Sequence, residues 1–325
     1  MTKTENKRPP GPDQKLKLRH FIEYGLVLLL WAVVYVLPLS VSRAAGRVIG
    51  WLFITIDRRH RDIALLNLDQ AFGDSKTEEE KRSIVKNCFY HFGAAIMETL
   101  FLRTISQKRL ERMITFENVA LFDEALAEGK GLILCSAHYG NWEIMNLALG
   151  FRGIPMSAMA RPLDNPLVHK FLENVRVRPG NRVIYKHKSV RKIFANLKEN
   201  RVVGIVNDQD VHDRNRTMVP FFGRDAATTP VPAAVSIKTG APIITGYAQP
   251  LDDGSYLLAF GELIRPNQDA PKEEETERIT LLLNKRLEEQ LEKAPDYWMW
   301  MHKRFKTGEE GITDFYKLPR KKSAR

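Results

Sequence analysis

The chain has 325 residues, 44% hydrophobic and 27% charged, which is enough to bury a sizeable core and excludes disorder throughout. Two cysteines, Cys88 and Cys135, exclude a disulfide framework or a four-cysteine zinc site and fit reduced core positions in a cytoplasmic compartment. Fifty Lys and Arg against 39 Asp and Glu leave a net charge of +11, which favours an anionic partner: nucleic acid, anionic lipid or an acidic protein.

The first segment, residues 1–19, is polar, basic and proline-bearing, and is expected to be disordered. Residues 20–56 follow as a membrane anchor. The apolar run "FIEYGLVLLLWAVVYVLPL" (21–39) is about as long as a bilayer span, trimmed by Glu23 and Pro38, and a second apolar patch, "VIGWLFITI", covers 48–56. No small-residue cleavage site closes the run, which argues against a signal peptide. Basic residues flank it on both sides, so the positive-inside rule does not favour a simple crossing. The expectation is an anchor dipping into the inner leaflet, or a helical hairpin, with the main domain cytoplasmic; a buried core helix is the competing reading.

A main domain is expected over 57–310. From "RRHRDIALLNLDQAF" to "ITFENVALFDEALAEG" apolar residues recur at helical spacing, and this stretch reads as all-helical. Short apolar runs at 131–137, 156–161, 182–186 and 202–208 then read as strands, alternating with helices near 142–150, 166–176 and 189–199. Such alternation predicts an α/β fold with a mostly parallel central sheet flanked by helices. A helix over 228–240 is predicted with Thr229 as cap and Pro230 at its first position. Two strands joined at "DDG", a charged helix over 272–293 and a last element at 295–305 complete the domain, and 311–325 reads as a loose basic tail.

Within "GLILCSAHYGNWEIMNLALG" (131–150), His138 and Glu143 stand five residues apart across a strand end and a helix start. In one continuous helix they would lie about 140° apart and could not meet. Gly140 supplies a turn and Asn141 a helix cap, which would bring the imidazole and the carboxylate to the C-terminal edge of a parallel sheet, where ligands of such sheets gather. There Glu143 could hold one imidazole nitrogen and leave the other free as a base. Each residue also has a plain structural reading, a hydrogen-bonded strand-end histidine and a carboxylate that complements a helix dipole. No G-x-S-x-G elbow, phosphate loop or H-E-x-x-H is present, and the eight histidines do not cluster as metal ligands, so neither metal nor cofactor is expected. Cys135, inside an apolar strand, reads as core. A base without an enzyme nucleophile suits direct transfer: an acceptor hydroxyl loses its proton to His138 and attacks an acyl donor.

"HYGNWE" carries an H-x4-E motif, and its surroundings resemble the late acyltransferases of bacterial lipid A biosynthesis, within the glycerolipid or lysophospholipid acyltransferase-like superfamily. The resemblance runs over 20–307 and includes "ARPLDNPLV" (160–168), "RVR" (176–178), "NDQD" (207–210), "VPFFGRDAATTP" (219–230) and "YWMWMHKRFK" (297–306). It implies transfer of a fatty acyl chain from acyl carrier protein to a hydroxyl of a lipid A precursor. The reaction would occur at the cytoplasmic face of the bacterial inner membrane, without metal or acyl-enzyme. It also implies His138 as general base and Glu143 as its orienting partner, with Arg176, Arg178 and Asp208, and with them Arg161, in or near the site.

These residues carry independent readings as well. Arg161 ends a strand before Pro162, and Arg176 and Arg178 lie just past a helix, where cations suit its dipole; a functional role would be to hold a lipid phosphate or the thioester oxyanion. Asp208 sits at a second strand end on the rim of His138, and Thr228 and Thr229 open a helix whose free N–H groups could grip an anion or serve only as caps. The alternatives are acylation of another glycolipid or a lysophospholipid, and a catalytically dead membrane scaffold. A nucleic-acid-binding protein is disfavoured, because the basic residues gather at the anchor and the tails rather than among exposed aromatics.

Overall fold

A computed structural model describes residues 16–185, 189–212 and 215–317. The tail expected over 1–19 lies outside the described residues up to 15, as does the C-terminal tail from 318 onward.

Two apolar helices come first, α1 (Leu18–Val36) and α2 (Leu39–Ile56), separated where Pro38 ends one and starts the next. Both are long and apolar enough to cross a membrane, and most of their surface is exposed. The helices α3 (Arg58–Phe72), α4 (Glu78–Phe101) and α5 (Gln107–Glu111) follow. The start of α4 is fixed by a capping box in which Thr77 accepts from the Glu80 amide and the Glu80 side chain reaches back. The remaining elements, in chain order, are β1 (Ile114–Glu117), α6 (Ala120–Ala127), β2 (Leu132–Ser136), α7 (Trp142–Phe151), β3 (Met156–Ala160), α8 (Pro166–Arg176), β4 (Arg182–Tyr185), α9 (Ser189–Lys198), β5 (Val202–Val206), β6 (Thr217–Phe221), β7 (Arg224–Thr228), α10 (Val231–Thr239), β8 (Ile243–Pro250), β9 (Tyr256–Phe260), α11 (Lys272–Lys293), β10 (Thr307–Gly308) and β11 (Gly311–Ile312).

Seven strands form one sheet in the order β1-β9-β8-β2-β5-β3-β4, with every neighbouring pair parallel except β8 and β9. All five residues of β2 are buried, as a central strand covered on both faces requires. Its alternation sorts them: Leu132 and Leu134 enter a core with α4, α7 and α8, whereas Ile133 and Cys135 enter one with α9, α10 and α11. A third apolar cluster caps the C-terminal edge of β2, where Ala137 and Tyr139 meet Leu65, Cys88, Trp298, Trp300 and Phe305.

The mostly parallel sheet flanked by helices agrees with the expected fold class. The stretch expected to be all-helical contains β1, whose four residues alternate between half-buried and exposed and pair with β9. The hairpin of β6 and β7 was not expected either. The helix placed at 228–240 begins at Val231, and the Thr229 hydroxyl only weakly caps it, at 3.4 Å from the Val231 amide. Residues 311–317, expected as loose tail, fold back: the Tyr316 hydroxyl donates to Asn67 Oδ1 and accepts from the Phe305 amide.

Candidate active site

The strands β2 and β5 run parallel with Ser136 level with Val206. Two residues beyond each strand end stand His138 and Asp208, so the register that pairs the strands also sets these two side chains side by side. Asp208 accepts from the His138 backbone amide at 2.9 Å through Oδ2, and its Oδ1 lies 2.9 Å from the imidazole Nδ1. The indole Nε1 of Trp298 donates to Oδ2 at 2.7 Å. Burial opposes the Asp208 charge, but the imidazole and these donors outweigh it and hold the carboxyl down at about 2. Asp208 is therefore a carboxylate, and Nδ1 must carry the proton that joins the two groups. The other nitrogen, Nε2, is left with a free lone pair. Burial likewise works against a charged His138, but Asp208, and to a lesser degree Glu143, overcome it and raise its pKa above the ordinary imidazole value.

The turn after His138 is fixed by backbone. Gly140 has φ of +57°, and a side chain there would overlap the Ala248 carbonyl, so only glycine fits. Its amide donates to the Tyr297 carbonyl at 2.9 Å, and the Met299 amide donates to the His138 carbonyl at 3.1 Å. Asn141 then caps α7 by accepting from the Ile144 amide at 3.2 Å. The strand, glycine turn and helix start expected from the sequence are all in place.

Glu143 lies in the first turn of α7, but its partner differs from the expected one. No hydrogen bond joins it to His138 among the described residues. Both of its oxygens accept from Arg176 Nε, at 2.9 and 3.0 Å, and Oε1 also accepts from Arg176 Nη2. The orienting position on the imidazole, expected of Glu143, is filled by Asp208. The physical reason is reach: the adjacent strand end delivers Asp208 level with Nδ1, whereas the first turn of α7 turns Glu143 toward the last turn of α8. Glu143 acts on the imidazole through its charge alone. Burial disfavours the Arg176 guanidinium, but Glu143 more than compensates and keeps it protonated.

The other expected site residues divide. Arg161 is exposed just after β3, and no hydrogen bond or ion pair joins it to His138 among the described residues. Arg178 is spent on structure: Nη1 donates to the carbonyls of Leu102 and Arg103 and Nη2 to that of Ile105, at 2.8–2.9 Å, which closes the C-terminal end of α4. Thr228 is fully buried; its hydroxyl donates to the Ala226 carbonyl and accepts from Arg304 Nη2 at 2.6 Å. Arg304 is itself fully buried, and burial lowers its pKa to about 10 against the opposing pull of Asp208 and Asp210. Both cysteines are buried, and burial pushes the Cys88 thiol up to about 12 and that of Cys135 higher still, which fits core packing rather than nucleophilic use.

The imidazole of His138 opens into a cleft between α4 and the 297–299 segment, lined by His91, Phe92, Trp142, Tyr297 and Met299. Trp142 packs edge-on against the His138 ring at 4.9 Å between centroids. Burial lowers the pKa of His91, a second imidazole that lines the same cleft. Sequence reading missed Trp298 and His91 as site residues. Asp208 was seen, but not as the imidazole's partner; its offset of two residues from a strand end, equal to that of His138, is the signal that could have found it.

The chain matches the family described as bacterial lipid A biosynthesis acyltransferase over residues 12–307. Among curated proteins it is 27% identical over 303 residues to a lipid A biosynthesis lauroyltransferase of Escherichia coli, with 92% of this chain and 95% of the relative aligned. It is also 27% identical over 296 residues to the palmitoleoyltransferase of the same organism, covering 90% of this chain and 93% of the relative. Identity to the myristoyltransferase of that organism is 23% over 273 residues, 84% of this chain and 82% of the relative.

Proposed function

The chain belongs to the bacterial lipid A biosynthesis acyltransferase family and is an acyltransferase, and from that premise we propose that it moves a fatty acyl chain from an acyl carrier protein thioester to a hydroxyl of a lipid A precursor, with His138 as general base. The observation that carries this reading is the His138–Asp208 pair, with Nε2 free at the mouth of a cleft on the sheet edge. Nε2 takes the proton of the acceptor hydroxyl as its oxygen attacks the thioester carbonyl. The imidazolium, held by Asp208, then returns that proton to the departing thiolate of the carrier, so no acyl-enzyme forms. The Glu143–Arg176 pair keeps a fixed cation close by, where it can face the developing oxyanion or a lipid phosphate. Arg161, exposed on the same edge, is the second candidate for a phosphate.

The apolar residues that α1 and α2 leave exposed, among them Phe21, Leu26, Leu29, Trp51, Phe53 and Ile56, support membrane attachment. Both helices also pack on the main domain: on α1 the His20 carbonyl and Glu23 accept from Asn165 and Val34 is fully buried, and on α2 Arg43 Nε donates to Glu98. Helices held along their length this way fit a hairpin lying in one leaflet, with the catalytic domain on the cytoplasmic side where acyl carrier protein is found. The net charge of +11 suits an acidic carrier and a phosphorylated acceptor.

The test is purified protein with acyl carrier protein thioester and lipid A precursor, read by mass spectrometry of the lipid. A precursor heavier by one acyl chain is expected, together with loss of that chain from the lipid A of a deletion strain. Acylation of a lysophospholipid instead, with unchanged lipid A in the deletion strain, would overturn the proposed acceptor.

A further inference from the structure

Glu98 takes no part in the reaction proposed above, yet its partners join three elements that are distant in sequence. It is buried inside α4, and Oε1 accepts from Nε of Arg43 on α2. Oε2 accepts from Asn141 Nδ2 at 2.9 Å and from the Tyr256 hydroxyl. The same Asn141 side chain caps α7 through its Oδ1 and directly follows Gly140 of the catalytic turn. One carboxylate thus links a helix with an exposed apolar face to the cap next to the general base. The link is rigid at its far end, because α2 touches α4 backbone to backbone: a Cβ on Gly46 would lie 2.6 Å from the Gly93 carbonyl oxygen.

We propose that Glu98 is a positioning residue: through Arg43 and Asn141 it makes the geometry of the His138–Asn141 turn depend on α2 lying in its seat against α4. The physical basis is the buried charge. With Arg43 withdrawn, Glu98 is left buried without its cation and draws in water. That change weakens its hold on Asn141, and the cap and the glycine turn loosen together. The effect on turnover rests on the acyl-transfer reading above; the effect on the turn does not.

The experiment is amide hydrogen exchange on the full-length protein, alongside kcat and KM. Arg43→Met is expected to speed exchange at residues 142–145 about tenfold while β2 (Leu132–Ser136) stays within about twofold. Its kcat should fall roughly ten- to hundredfold with KM unchanged, and Arg43→Lys should recover most of the loss. Arg47→Met removes the same charge one turn along α2, from an exposed side chain without a bond to Glu98, and should leave both readouts as in wild type. Unchanged exchange at 142–145, an equal rise across β2, or the same effect from Arg47→Met would each overturn the proposal. If Arg43→Met does not fold, Glu98→Gln, equal in size, decides on the same two regions. Should the wild type transfer no acyl chain, the functional reading falls and the exchange comparison still decides the coupling.

Discussion

The turn from His138 to Asn141 is gripped from two sides by buried carboxylates, and each of them is 3% exposed. On the sheet side Asp208 binds the imidazole and backbone amide of His138; on the helix side Glu98 binds Arg43, Asn141 and Tyr256. Depth and chemistry of the two carboxylates are alike, but their partners differ. An imidazole titrates near neutrality, so the pair with Asp208 is able to gain and lose a proton. Glu98 faces a guanidinium instead, a planar fork of donors suited to holding a carboxylate in place. The contrast teaches that a buried carboxylate becomes part of proton chemistry or part of the frame according to the group it faces, not according to its own environment alone.

That division can be broken experimentally, and the sheet side should give the largest effect. His138→Ala is expected to lose about two to four decades of kcat/KM, measured by release of carrier thiol, while circular dichroism and vesicle association stay as in wild type.

Asp208→Asn should cost about three decades and also move the pH profile. In the native protein the raised imidazole pKa places the rising limb of activity above the free-imidazole range of about 6.5, because the base form accumulates only above its own pKa. Without the carboxylate, burial dominates and lowers that pKa, so the limb should shift to lower pH even as the rate drops. Stability follows the same groups. The contribution of His138 is full below about 6.5 and fades as pH rises through its raised folded value. That of Asp208 is present above about 3.9 and is lost as pH falls toward its folded value of about 2. Thermal unfolding of Asp208→Asn should therefore lose the fall in stability toward pH 2, and its dependence near neutrality should reverse, with stability falling as pH drops through about 6.5; an unchanged profile would remove the pair from the account.

The helix side is probed by Gly93→Val, whose side chain would collide with the α2 backbone at Gly46. A loss of about 1–3 kcal/mol in denaturant unfolding is expected, with a smaller effect on turnover than either site variant. Arg161→Ala touches neither grip. Its charge is exposed, so KM for the phosphorylated acceptor should rise by no more than about fivefold and kcat should hold.

Much of the frame was legible in local pattern. The buried run of β2, the turn at Gly140, the cap at Asn141 and the full span of α11 follow from apolar runs, a glycine and capping residues that lie next to one another. What pattern could not supply was partners distant in sequence. Glu143 stands close to His138 in the chain and was paired with it, whereas the residue that holds the imidazole is 70 positions away and arrives through strand register. Arg178 reads as a cation past a helix end, suited to its dipole or to a lipid phosphate, but is spent on three backbone carbonyls, a fate decided by the tertiary packing around it. The strand β1 was hidden because four alternating residues between helices are too few to outweigh the helical period on either side.

Two backbone bonds tie the His138–Asn141 turn to Tyr297 and Met299, and so to a segment late in the chain. All seven strands of the main sheet precede residue 297 in the chain, and the indole that clamps Asp208 and the amide that anchors the His138 carbonyl follow them. A nascent chain halted before that stretch has the sheet and the histidine without the clasp that closes around them.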